Sequence, residues 1–268
     1  MSALTELLAG ISACRAIDLA QPYFIGIPHY PLHAPYLYSL SKKHGESVHP
    51  AGASSAAEAI TLSTHTGTHI DALCHYSSHG KLHGGQETSG AQTYAGGMEA
   101  LSVDRIPPIF RRGVLLDIAG RQGVDVLPVD FVITPDHLAQ ASAEVKIGPG
   151  DVVLLRTGWS KYWNDPAKFI SQLHSPGPQL AGARWLSESG VFAVGSETAP
   201  FEFVPSPEME VHVHLLVESG IHIIECLNLE ELAASGAREF LFVATPLKIR
   251  GGTASPIRPY ALVPETAN

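Results

Sequence analysis

The sequence predicts an α/β domain built on a mixed, mostly buried sheet, and three observations predict it. Short apolar runs bounded by breaker residues alternate with capped helical segments, and no internal repeat or low-complexity linker divides the chain. The composition, 45% hydrophobic and 16% charged over 268 residues, supplies a sizeable core.

In chain order, a first helix is expected from about Thr5 to Ala13, then an extended segment from Ala16 to Leu19. From Gln21 to Pro50 the chain holds five prolines, five aromatic residues and four histidines, the makings of an irregular loop with rigid apolar edges that can cover a pocket. The runs Glu58–Ser63, Gly113–Asp117, Asp151–Arg156, Gly190–Val194 and Glu239–Ala244 are short and apolar with turn residues close by, and read as strands. Helices are expected at Pro128–Ala143, at Gln179–Ser189 with its stop at Gly190, and at Asn228–Gly236, where a capping side chain precedes an acidic first turn. All of this reads as one domain over residues 1–268.

A formal charge of -9 argues against a nucleic-acid or anionic-membrane binder, which needs a basic face. Cys14, Cys74 and Cys226 are too scattered for a disulfide framework or a structural zinc site. The first ten residues lack a secretory pattern, and no apolar stretch is long enough for a bilayer, so a cytoplasmic location is the default expectation.

Of 14 histidines, nine lie between His29 and His83. His29, His33, His44, His49, His79 and His83 read as surface residues of a histidine-tolerant loop. The run Ser63-Thr-His-Thr-Gly-Thr-His-Ile-Asp-Ala-Leu-Cys-His75 is different, because its histidines have pattern as well as density. Its threonines and glycine oppose a helix, and in an extended chain His65, His69, Asp71 and His75 would share one face. His69 and Asp71 would stand about 6.6 Å apart at the backbone, close enough to converge on one ion. His65 and His69 would be about 13 Å apart, too far for bonds of about 2.0 to 2.2 Å to a shared ion. A bend is therefore expected between them, and Gly67 can supply it without steric penalty. Two imidazoles and a carboxylate with open positions make a catalytic rather than a structural set, and the ion would acidify water and polarise a carbonyl. His75 is expected as proton shuttle or further ligand. Cys74, at an even position, is expected to face away as a core thiol.

His-x-Gly-Thr-His-x-Asp followed by a histidine four residues on resembles the signature of the cyclase-like metal-dependent hydrolases. Gly195-Ser-Glu-Thr198, the region from Val211 to Glu225, and Thr245 to Pro256 extend that resemblance over most of the chain. The resemblance implies a swivelling β/β/α fold and a homo-oligomer, dimer or tetramer, with the aromatic loop near a neighbour's pocket. It implies metal ligation by His65, His69 and Asp71, with His75 as catalytic acid/base. His212 and Glu225 match a later histidine and glutamate that complete a second metal position in the formamidases. His214 is an alternative to His212, and His222 reads as a surface or core residue. Leu73 stands where formamidases carry proline and Glu197 where aspartate is common. With the chain's greater length, these departures favour the broader cyclase branch.

The expected activity is hydrolysis of a small amide, formamide, cyclic imide or lactone at a divalent Zn or Mn centre, with His75 passing a proton to the leaving atom and His212 assisting. A lyase or cyclase reaction at the same ion is the alternative, and incorporation of ¹⁸O from water would separate the two. A non-catalytic protein that merely binds metal or a small molecule is a third reading, one that tight binding without turnover would favour. Trp159, Tyr162 and Trp163 read as packing. Gly251-Gly252 is too sparse for a phosphate loop, and no Gly-x-Ser-x-Gly elbow is present.

Overall fold

The structure, a computed structural model, describes residues 2–265. Helix α1 (Ala3–Ser12) leads into strand β1 (Cys14–Asp18), and the aromatic loop then runs to an antiparallel hairpin of β2 (Leu37–Lys42) and β3 (Ala57–Thr61). Next come β4 (His69–Asp71), a short pair β5 (Gln92–Thr93) and β6 (Gly97–Met98), and the long β7 (Ile109–Asp117). After α2 (Ile118–Arg121), β8 (Val132–Ile133) and α3 (Pro135–Ala141), β9 (Val152–Arg156) returns to the main sheet. The chain continues through α4 (Pro166–Ile170), β10 (Gly177–Pro178), α5 (Leu180–Ser187) and β11 (Ala193–Ser196). It then forms α6 (Glu210–His212), a π-type turn (Val213–Ser219), β12 (His222–Glu225), α7 (Glu230–Ala234), β13 (Glu239–Ala244), β14 (Ala254–Pro256) and β15 (Tyr260–Pro264).

Nine strands form one mixed sheet in the order β1-β15-β13-β7-β9-β11-β12-β4-β14. The central β7, β9, β11 and β12 run parallel, and the flanking strands are antiparallel. This is the mixed α/β architecture expected. Both faces are covered, which is why the central strands read as near-continuous apolar runs. Val114, Leu116, Val153, Leu155 and Ile223 pack with Leu138 of α3, Leu186 of α5 and Leu215 of the π-type turn. Alternate residues Leu115, Leu154 and Ile224 pack on the other side with Ile70, Phe240 and Phe242. Because Ile70 lies on that second side, the side chains of His69 and Asp71 must project toward the helical layer.

The structure refines three expectations. The run Glu58–Ser63 forms a strand as expected, β3, but in the β2–β3 hairpin, whose residues are nearly all exposed, outside the main sheet. The helix expected from Pro128 covers only Pro135–Ala141, because Val132–Ile133 pairs with Gly177–Pro178 and Thr134 then caps the helix, with Pro135 in its first turn. Gly190–Val194 starts as a turn, and the strand there spans Ala193–Ser196.

Candidate metal centre

The centre lies near the carboxyl ends of β11 and β12, where open α/β sheets place their ligand crevices. His65 sits in the turn before β4, with Gly67 at φ +75°. That left-handed residue bends the chain between the two histidines, so His65 returns to the face that β4 gives to His69 and Asp71. A second turn, closed by the His75 N–H donating to the Ala72 carbonyl at 2.9 Å, swings His75 back until its ring centroid is 4.0 Å from that of His65. His75 therefore reaches the cluster through a turn and not by continuing an extended strand. Cys74, buried in the apolar layer on the opposite face, is a core thiol, its pKa pushed up to about 12 by burial.

Glu225 ends β12 directly opposite His69 in the antiparallel register. His212 ends α6 and enters the centre from the helical layer. His214 points elsewhere, its Nδ1 2.7 Å from Glu218 and its Nε2 2.9 Å from Ser187 Oγ. His222 is a buried core residue whose Nδ1 donates to the Asp71 carbonyl at 2.8 Å and so anchors β4.

The donor atoms form two adjoining groups. His65 Nδ1 and His69 Nε2 lie 2.9 and 3.5 Å from Asp71 Oδ1, and His69 Nε2 is 3.6 Å from Glu225 Oε2. His212 Nε2 lies 3.9 Å from Asp71 Oδ2 and 3.3 Å from Glu225 Oε1. Two ligand atoms on a tetrahedral ion with bonds of about 2.1 Å stand about 3.4 Å apart, so these separations suit ligands around shared cations. The buried atoms tell the same story. Asp71 Oδ2 and His69 Nε2 are buried without a hydrogen-bond partner, and Asp71 Oδ1 has only the His65 ring nitrogen at 2.9 Å, which is costly unless a cation occupies the space between them. The residues present thus fit a divalent metal.

The ring orientations are set from behind. His69 Nδ1 donates to the Gly67 carbonyl at 2.8 Å, which leaves Nε2 with its lone pair toward the carboxylates. His65 Nε2 pairs with Thr253 Oγ1 at 3.0 Å, so the loop after Gly251-Gly252 serves as a brace for a histidine. Burial works against the charge on Asp71, yet the surrounding histidines hold its carboxyl well below the usual range. Burial lowers the His75 pKa to about 3 and keeps the ring neutral. Burial opposes protonation of His212, but hydrogen bonds to Glu202 and Glu225 and their charges win, raising it to about 10.

Sequence reasoning missed Glu202, Thr253 and His33. Glu202 binds His212 from behind, and Thr253 binds His65. His33, read as a surface residue, is half-buried with its ring 5.2 Å from that of His65. It lines a cavity of about 280 Å³ over the centre together with Tyr30, Leu32, Tyr76, Pro200 and Met209. The density of histidine in the aromatic loop was the available signal for His33. Trp159 and Trp163 pack with Ile27 and Phe169, and the Trp163 indole donates to the Pro22 carbonyl, tying the loop to the body. No helix among the described residues is long and apolar enough to cross a membrane.

Comparison with known proteins gives a concordant picture. The model of the Cyclase family matches residues 17–202. Isatin hydrolase of Roseibium aggregatum is 31% identical over 216 residues, covering 77% of this chain and 74% of that protein. Kynurenine formamidase of Bacillus cereus is 27% identical over 242 residues, covering 90% and 94%. Among solved structures, a novel cyclase superposes with a TM-score of 0.88 at 27% identity, covering 98% of this chain and 92% of that one.

Proposed function

The chain belongs to the Cyclase family, and from that premise we propose that it is a metal-dependent hydrolase of a small amide, formamide, cyclic imide or lactone. The observation that carries the reading is the convergence of His65, His69, His212 and Glu225 on the buried carboxylate of Asp71, with Asp71 Oδ2 and His69 Nε2 left without a hydrogen-bond partner. His65, His69 and Asp71 would hold a divalent ion, with Glu225 shared, and His212 would complete a second position. Zn²⁺ and Mn²⁺ both suit such a donor set. When bound, the ion acidifies water and polarises the substrate carbonyl.

The chain's own residues supply the rest. His75, which lines the cavity with its ring centroid 4.0 Å from that of His65, is placed to take a proton from the attacking water and deliver it to the leaving nitrogen or oxygen. Tyr30, Leu32, Tyr76 and Met209 give the cavity an apolar wall that suits a compact planar ring, and the cavity is small for a ligand site. Isatin, named in the isatin hydrolase relative, is of this kind.

Asp71→Ala should abolish activity and strip bound metal while leaving the circular dichroism of the chain unchanged. The check is metal analysis beside a hydrolysis screen of isatin, N-formylkynurenine and dienelactones. Full turnover by a metal-depleted preparation would end the proposal.

A further inference from the structure

The backs of the ligating histidines are not alike. His69 and His65 lean on neutral oxygens, the Gly67 carbonyl and the Thr253 hydroxyl. His212 alone leans on a carboxylate. Glu202 is 1% exposed and lies on the loop after β11, outside the run of residues that face the ion. Its Oε2 accepts the His212 ring Nδ1–H in a short contact and also the His212 backbone N–H at 3.0 Å. Its Oε1 accepts the Ser206 hydroxyl at 2.6 Å.

A buried carboxylate costs several kcal/mol to desolvate, and a helix clamp alone would not require a charge there. What a carboxylate adds is an acceptor that fixes the imidazole tautomer and makes the opposite nitrogen a stronger ligand. That opposite nitrogen, Nε2, is the atom directed at Asp71 and Glu225. We propose that Glu202 is a positioning residue that sets the metal affinity of the Asp71–His212–Glu225 position independently of the His65–His69–Asp71 position. This rests on the reading of the centre as a metal site and adds that its two halves are tuned by separate supports.

The test is equilibrium dialysis of metal-free protein against Zn²⁺. The wild type takes two ions per chain. Glu202→Gln keeps the first at wild-type affinity and binds the second about 10- to 100-fold more weakly. Ser206→Ala, a milder change that removes only one donor to Glu202, weakens the second ion in the same direction by less, and it serves if Glu202→Gln does not fold. In metal-free protein, the His212 Nδ1 proton resonance should move upfield in Glu202→Gln while those of His65 and His69 stay in place. Glu202→Gln binding both ions as the wild type does, losing both together, or a wild type that takes a single ion would overturn the role of Glu202. A wild-type chain that takes no ion would overturn the proposed function itself, and this inference with it.

Discussion

Gly67 has φ +75°, and a Cβ added there would lie 2.5 Å from the Tyr23 ring, which is held in place by its hydroxyl donating to the Thr66 carbonyl at 2.9 Å. Alanine at this position faces a left-handed penalty of about 1–2 kcal/mol and a steric conflict besides. Gly67→Ala should therefore lower stability by about 2 kcal/mol or more and reduce bound metal, measured by urea denaturation and metal analysis. A wild-type midpoint with full metal content would refute this. Adding Tyr23→Ala should restore part of the loss, a coupling that a double-mutant cycle reads directly. At this scale the sequence was most legible where chemistry and spacing coincided, in His65, His69 and Asp71. It was least legible for Glu202, whose ten-residue separation from His212 carries no pattern, and for Thr253, which meets His65 across 188 positions of chain.

The elements are tied beyond the β11 end by Glu197. Its fully buried carboxylate accepts the backbone N–H groups of Thr157, Gly158 and Leu229 and the hydroxyls of Thr157 and Ser160. One side chain on the β11 end thus pins the β9 end and the approach to α7. Burial pushes its pKa upward, and the hydrogen bonds from Ser160, Thr157 and Gly158 pull against that rise. Glu197→Ala leaves several buried donors unsatisfied, each costing about 1–3 kcal/mol, so a loss of more than about 3 kcal/mol is expected in calorimetry. A loss below about 1 kcal/mol would show that water replaces the carboxylate without penalty. Strands buried on both faces, such as β9 and the Gly113–Leu116 part of β7, were legible because burial writes a continuous apolar run. The run Glu58–Ser63 has a similar local character and forms the exposed hairpin, because pairing partners are chosen by distant residues.

For the whole molecule, a metal that binds the folded chain and not the unfolded one must stabilise it. At a free ion concentration about 100-fold above Kd the gain is about 2.7 kcal/mol, which for a chain of this size is about 5–10 °C in Tm. Thermal scans with and without chelator should show that difference in the wild type and lose it in Asp71→Ala; identical scans for the wild type would contradict the metal reading. The sequence by itself determined the α/β class and the residues able to ligate an ion, since periodicity, breakers and donor chemistry are local properties. Only the tertiary structure decided that β4 stands between β12 and β14, that its odd residues face the helical layer, and that Glu202 and Thr253 stand behind the histidines. Those outcomes depend on which strands pair and which loops meet, and such long-range contacts are selected by the burial of the entire core rather than by any short stretch of chain.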